Sequence, residues 1–562
     1  MNRNAESHFS MAPNVNIPRS VFKREFSHLS SANVGQLIPH YWHEVLPGES
    51  LKLESHKVIR LQPLVSSPMS DLFADEYFFF VPNRLLWTHW KEFMGENTSS
   101  PWVSNVEYTV PQLICKGLGS SSKSIKKGSI LDYFGLPVNS VQSTSGFSIS
   151  ALYTRAYALI VREFFQDQNI ETPVNVPLDD LNREVIYTSD STDVIESRYV
   201  EFIHRGGMPY IVNRYHDYFS SCTPGPTKSL NDILAFPNMP VITGDIDNSD
   251  LLSKGVSEPG LDFPLEGLFN INSGDTEEVY NIPLTADMRN LNGTIAATGA
   301  FAPTNLMAIS SVTINDLRSA FMVQRLLERD LYGTRYRELL KAHFSVTPDD
   351  KSMQVPQYLG GKRIPVKISQ ILQTSETNNT PQGNVAGYSL TSDSDYCFDA
   401  SFTEHGIIIG LLVLRYKNIY QNGIPKQWSR KTRYDYYWPE LAGLGNLPVY
   451  KRELFANGSD ADDEIFGYQE AWAEYRYPNA DKVTGEMRSG IANTLDSWHF
   501  ADYYTEHPTL SRDWMKVDKA NVDRTLAVTS SVSNQYWFDC LFVERDTLPM
   551  PLYSIPGLGQ NW

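Results

Sequence analysis

The chain has little with which to build a redox, metal or membrane protein. Its 562 residues hold four cysteines, Cys115, Cys222, Cys397 and Cys540, scattered with no CxxC spacing. That excludes a disulfide framework and a sequence-local zinc site, and the four read as small buried apolar residues. Long apolar runs are missing too. GIIIGLLVL, from Gly406 to Leu414, is far shorter than the roughly eighteen residues a bilayer-spanning helix needs, so no membrane insertion is expected. The N-terminal stretch MNRNAESHFSMAPNVNIPRS lacks an apolar segment behind a basic start, which argues against a secretory signal and for synthesis in a cytoplasm. Positive charge is in deficit, with 48 Lys and Arg against 65 Asp and Glu and a formal charge of -17. This balance argues against coating duplex DNA by bulk charge, although local basic patches remain available.

Catalytic signatures are equally scarce. GLGSSSKS, from Gly117 to Ser124, imitates a phosphate-cradling loop but places Ser122 where the second glycine belongs, so it reads as a surface loop. DADDE, from Asp460 to Glu464, offers carboxylates to a hard cation but has Ile465 at the position where a calcium loop requires glycine. Glu404–His405 and His499 do not form HExxH, and there is no GxSxG. No catalytic residue, cofactor or metal ligand is assigned.

What the chain does have is aromatic side chains, 30 Tyr, 27 Phe and 11 Trp, punctuated by 33 Pro and 34 Gly, the profile of many short strands and loops. The fold class is mainly β. LIPHYWHEVLPGESLKLESHKVIRLQPL contains two strand-like runs around a turn at Pro47–Gly48, either a hairpin or a pair of sheet strands. DEYFFFVPNRLLWTHWKEFMGE opens with a strand apolar on both faces and continues, after Pro82, with apolar residues Leu86, Trp90 and Phe93 or Met94 at helical spacing. That helix is expected to cover the strand. Further helices are predicted over SALYTRAYALIVREFFQDQN, over TINDLRSAFMVQRLLERDLYG with Thr313 as N-cap, and over TRYRELLKAHF. They sit as islands among strands and not as a βαβ repeat.

Three regions stand apart. Residues 1–35 are polar and locally basic through Arg3, Arg19, Lys23 and Arg24, and read as an extended arm ahead of a single body over 36–562. The segment 232–300 carries eleven acidic residues against Lys254 and Arg289, a net of -9 out of the chain's formal -17, and reads as a solvent-facing excursion with short strands. The tracts TRYDYYWPEL and FGYQEAWAEYRYP interleave aromatic residues with arginine, a composition suited either to stacking on sugars or bases or to packing in cores and interfaces.

Taken in series, DEYFFFVPNRLLWTHWKEFMGE, GSILDYFGLPV, REFFQDQN, RYHDYFSSCTPGPTK, INDLRSAFMVQRLLERDLYGTRYRELLKAHFSV, PQYLGG, FTEHGIIIGLLVLR, QWSRKTRYDYYWPEL, FGYQEAWAEYRY and LDSWHF resemble the major capsid protein of microviruses, small single-stranded DNA bacteriophages, in particular the gokushovirus branch. The resemblance runs from about Ile38 to PLYSIPGLGQNW. It implies a viral eight-stranded antiparallel jelly roll with long inserted loops and helices. It also implies self-assembly into a small icosahedral (T=1) virion shell around a circular single-stranded DNA genome, and contact with internal scaffolding and pilot proteins. The 232–300 segment lies where that branch has a surface protrusion, expected to meet a host cell-surface receptor. Within this reading Arg3, Arg19, Lys23, Arg24, Lys123, Lys126 and Lys127 are the candidates for contacting the genome, since basic side chains suit single strands without sequence readout. The alternatives on composition are a secreted glycoside hydrolase, which needs a signal peptide and a carboxylate pair at suitable separation, and a lectin-like carbohydrate-binding β-sandwich.

Overall fold

The strand signals in the sequence resolve into eight long strands that form two sheets. The computed structural model describes residues 17–96, 108–115, 125, 127–138, 146–185, 203–226, 242–246, 266–273, 276–283, 294–295, 297–301, 314–330, 333, 335–377, 381–477 and 481–553. The eight strands are β1 (Ser20–Ala32), β2 (Ile38–Val45), β3 (Ser50–Leu61), β4 (Leu72–Pro82), β5 (Gln357–Pro365), β6 (Thr391–Ser401), β7 (Gly406–Tyr416) and β8 (Tyr536–Leu548). One sheet has the order β1-β8-β3-β6 and the other β5-β4-β7-β2, antiparallel at every pairing. Successive strands cross from one sheet to the other, except that β4 and β5 are neighbours joined by a very long insertion. Two four-stranded sheets connected in this way make a jelly roll.

The two runs around Pro47–Gly48 are therefore a pair of strands in opposite sheets and not a hairpin. Gly48, at φ +86, supplies the left-handed residue that lets the chain step between sheets within four residues. Between the sheets the core is aromatic. Tyr41 of β2 and Phe542 of β8 have ring centroids 5.1 Å apart, and Phe78 of β4 meets Phe398 of β6 at 5.5 Å. In β8 the inward residues Tyr536, Phe538, Cys540 and Phe542 are fully buried while the alternate residues face out, as period-two patterning requires. Gly410 of β7 leaves room for a ring, since a Cβ there would lie 2.8 Å from the Phe78 ring.

β4 and β7 are the central strands of their sheet and are buried on both faces. What covers the outer face differs from the sequence expectation. After Pro82 the chain makes only a short turn at Asn83–Leu85 and a single helical turn, α1 (Trp90–Phe93), and Phe93 and Met94 are exposed on the surface. The cover comes from further along the chain. A second short helix, α2 (Ile130–Tyr133), precedes α3 (Leu152–Ile160), which runs on into a wide turn at Val161–Phe165. Phe164 and Phe165 lie 4.7 and 6.2 Å from Phe79, and Phe165 lies 5.2 Å from Tyr77. Tyr157 anchors α3 by donating to the Leu37 carbonyl at 2.6 Å. The local pattern after Pro82 was helical enough, but its apolar residues Leu86 and Trp87 are buried at the strand end, leaving no continuous stripe to lie along β4.

Residues 1–16 and 554–562 lie outside the described residues. From Ser20 onward the extended N-terminal segment is β1, paired with β8 along its whole length from Ser20–Leu548 to Ala32–Tyr536. Thr227–Gly333 forms a second compact unit, within which the acidic 232–300 segment falls. It contains an antiparallel pair, Glu266–Ser273 with Thr276–Pro283, a second pair, Ile242–Ile246 with Ala297–Phe301, and helix α4 (Ile314–Asp330). All four cysteines are free thiols; Cys115, Cys222 and Cys540 are buried and Cys397 is half-buried.

A satellite core of Phe219, Cys222, Tyr420, Val449, Leu454, Phe466, Trp514 and Met515 lies beside the sandwich. Glu453 neighbours it, only 3% exposed, and burial pushes its carboxyl up to about 7, against 4.5 for an ordinary glutamate, despite the Lys426 charge nearby. The folded chain thus holds this proton more tightly than the unfolded chain, so its contribution is fully present below pH 4.5 and lost as pH rises through about 7. Glu453→Gln is expected to match wild type in denaturant unfolding of dissociated subunits at pH 4.5 and to be more stable by about 3 kcal/mol at pH 8. Equal stabilisation at both values would contradict a buried ionised carboxylate.

Candidate nucleic-acid and assembly surfaces

The first sheet keeps one face in the core and offers the other to solvent. Cross-strand register sets its composition: Ser31 of β1 pairs with Trp537 of β8, which pairs with Arg60 of β3, and Lys23 pairs with Arg545, which pairs with Lys52. Lys127 comes to the same face from the turn before α2. It borders a groove of about 660 Å³ lined by Leu29, Ser30, Ser31, Asp132, Asn534 and Trp537. The groove is held in shape by hydrogen bonds. Asn534 Nδ2 donates to the Ser31 carbonyl and hydroxyl at 3.1 and 2.9 Å, and Tyr133 donates to the same carbonyl at 2.9 Å. Asp132 accepts from the Gly128 N–H at 2.6 Å, which engages its charge locally. The result is a half-buried indole and an exposed lysine bordering the same groove, with Arg60 beside the indole on the sheet, able to stack a base and neutralise a phosphate.

The other candidate basic residues are distributed differently. Arg19 is exposed just before β1, and Lys23 is exposed but paired with Glu25 at 2.6 Å. Arg24 is engaged within the chain, 2.9 Å from Glu544 and 2.7 Å from Asp546. Lys23 and Ser31 lie eight residues apart on one strand, roughly 27 Å, so Lys23 and Lys127 mark opposite ends of the face. Arg3, Lys123 and Lys126 lie outside the described residues.

A second surface gathers the aromatic tracts. Trp428 is 76% exposed, and Tyr434, Tyr436, Tyr437, Trp438 and Tyr475 are each between 46 and 63% exposed. Arg430 stacks over Tyr475 at 4.5 Å and Tyr436 at 5.3 Å while pairing with Glu474 at 3.2 Å. Of the second tract's aromatic residues, Phe466 and Trp472 are buried, Trp472 meeting Tyr437 edge-on at 5.8 Å. So much ordered aromatic surface on one patch is the mark of an interface.

Over residues 10–558 the chain matches the family model for the phage capsid protein (F protein). It belongs to that capsid protein family. Relatives include capsid protein VP1 of Spiroplasma virus 4, 38% identical over 99% of this chain and 98% of the relative, and capsid protein VP1 of Chlamydia phage 1, 35% identical over 98% of each. Capsid protein VP1 of Bdellovibrio phage phiMH2K is 32% identical over 99% of this chain and 98% of the relative. The likeness read from the ten motifs holds, and the chain is a structural virion protein and not an enzyme.

Two features of this capsid protein bear on its chemistry. The DADDE run is occupied by the chain itself: Asp462 takes the N–H groups of Asn457 and Gly458 at 3.2 and 2.8 Å and His507 at 2.6 Å, Asp463 pairs with Arg452, and Glu464 with Lys451. Trp537 and Arg60 escaped the sequence reading. Their signal is parity: in YWFDCLF and KVIRL the large residues at alternate positions go inward, and Trp537 and Arg60 stand on the outward parity. No helix among the described residues is long and apolar enough to cross a membrane.

Proposed function

We propose that this capsid protein closes into a T=1 icosahedral shell, one subunit type in equivalent positions, around a circular single-stranded DNA genome, with assembly in the host cytoplasm. The observation that carries self-association is the aromatic patch from Trp428 to Trp438 with Tyr475, exposed on a subunit whose sandwich core is already complete. Burying such rings against a second copy supplies the apolar centre that stable interfaces need. The outward face of β1, β8 and β3, with the Lys127–Trp537 groove and the basic N-terminal residues, is the genome side in this reading. The 232–300 segment is the exterior protrusion; its acidity suits contact with a host receptor and discourages adhesion to free nucleic acid. Internal scaffolding and pilot proteins are the partners that the same family reading supplies.

Sedimentation tests this directly. Wild-type chain is expected as a discrete megadalton particle, whereas Trp428→Ser with Tyr436→Ser is expected as folded, soluble, dissociated subunits. Particles from the double variant at wild-type yield would remove the patch from the interface. In the same preparations Trp537→Ala with Lys127→Ala should assemble but lose single-stranded DNA binding by roughly 10-fold or more, since stacking on one aromatic is worth about 1–3 kcal/mol. Unchanged DNA affinity would place the genome elsewhere.

A further inference from the structure

The end of the sandwich at the β2–β3 turn holds an arrangement that neither self-association nor nucleic-acid contact uses. His43 is near the end of β2, Glu49 closes the turn before β3, and Asp546 is near the end of β8. The turn carries the chain from one sheet to the other, which is why a residue of β2 and a residue of β8 come within reach of the same point. One ligand atom from each of the three side chains lies within 4.8 Å of the others. His43 Nε2 is 2.5 Å from Glu49 Oε1 and 3.9 Å from Asp546 Oδ2. Glu49 Oε2 is fixed by the Leu46 N–H at 2.7 Å.

Carboxyl groups are crowded and buried around this point. Glu49, Glu544 and Asp546 are buried, at 0, 3 and 0% exposure, and the positive group set among them is the Arg24 guanidinium, shared between Glu544 and Asp546. Tyr41 donates to Glu544 at 2.8 Å but brings no charge. Three carboxyl groups thus crowd around one guanidinium and one imidazole, with the Arg19 guanidinium lying over Gly48 at the edge of the turn. Asp546 Oδ1 is buried and has no hydrogen-bond partner among the described residues, so a donor or a cation is wanted at that atom.

We propose that His43, Glu49 and Asp546 form a divalent-cation site of the zinc class. One imidazole nitrogen with two carboxylate oxygens is a borderline donor set that suits zinc better than calcium, which takes six or more oxygens. Three protein ligands leave a fourth position for water, and His43, with 11% of its side chain exposed, provides the way in. Bound there, the ion ties the crossover between sheets to the C-terminal strand and stabilises the folded subunit by mass action.

The test uses the full-length chain, stripped with a chelator and titrated with zinc alone at neutral pH, reading metal per chain after gel filtration and the thermal midpoint. One zinc per chain and a midpoint that rises with zinc are expected for wild type. His43→Gln, which keeps a hydrogen-bond donor towards Glu49, is expected to keep the metal-free midpoint and to bind zinc more weakly by about 100-fold or more, beyond the effect of an outer-shell change. Glu49→Gln provides the same comparison from the turn if the first variant folds poorly. A wild-type chain that retains no zinc, or variants that retain it as wild type does, would overturn the assignment; the carboxylates would then be balanced by protons.

Discussion

Phe79→Asp leaves no soluble subunit. Phe79 is 1% exposed, pairs in register with Tyr358 and Ile409, and is covered by Phe164 and Phe165 of the same chain. Removing a buried ring costs about 3–5 kcal/mol through lost transfer energy and the space left behind. The new carboxylate adds the cost of burying a charge against the rings of Phe164, Phe165 and Tyr358. Together these reach the whole stability of a typical domain, about 5–15 kcal/mol. The measurement is the partition between soluble and insoluble fractions on expression, with Phe79→Leu as the control that folds and assembles. Soluble, dissociated Phe79→Asp subunits would mean that a neighbouring copy, and not α3 and its following turn, covers β4.

Lys57→Met is the second large effect. Lys57 on β3 reaches across the sandwich to Glu76 on β4, whose other oxygen meets His40 Nε2 of β2 at 2.9 Å, and all three side chains are at most 1% exposed. Burial alone would raise the Glu76 carboxyl, but the His40 hydrogen bond and the Lys57 charge outweigh it and hold it below the ordinary 4.5. Its stabilisation is therefore present above pH 4.5 and disappears as pH falls through the lowered value. Removing Lys57 strands that charge, and a loss of about 3–5 kcal/mol is expected in denaturant unfolding of dissociated subunits. Lys57→Met combined with Glu76→Gln keeps an acceptor for His40 without the charge and should recover most of the loss. A double variant no better than the single would show that packing, and not charge burial, sets the cost.

Much of the sandwich was legible residue by residue. The alternation in SLKLESHKVIRL announces a half-buried strand, and the unbroken runs YFFFV and GIIIGLLVL announce strands hidden on both sides, as β4 and β7 are. The source of the cover was not legible. Apolar spacing near β4 pointed to the next segment, yet α3, some seventy residues on, does the covering because the long β4–β5 insertion returns across the sheet. The candidate genome residues show the same division. Lys127 was visible as part of a basic run, but its neighbour Trp537 is over four hundred residues away in sequence.

By itself the sequence determined the strand periodicity, the aromatic character of the core, the acidic bias of 232–300 and membership of a capsid protein family. Each is a property of composition, of short-range spacing or of motif order, and each survives without knowing which strand lies beside which. Tertiary structure alone decided that Ser20 pairs with Leu548, that the Pro47–Gly48 turn bridges two sheets, and that His43, Glu49 and Asp546 meet. Alternation tells a strand which face is inward but carries no information about its partner. That choice is made when distant strands close the sandwich and exclude water from both inner faces at once.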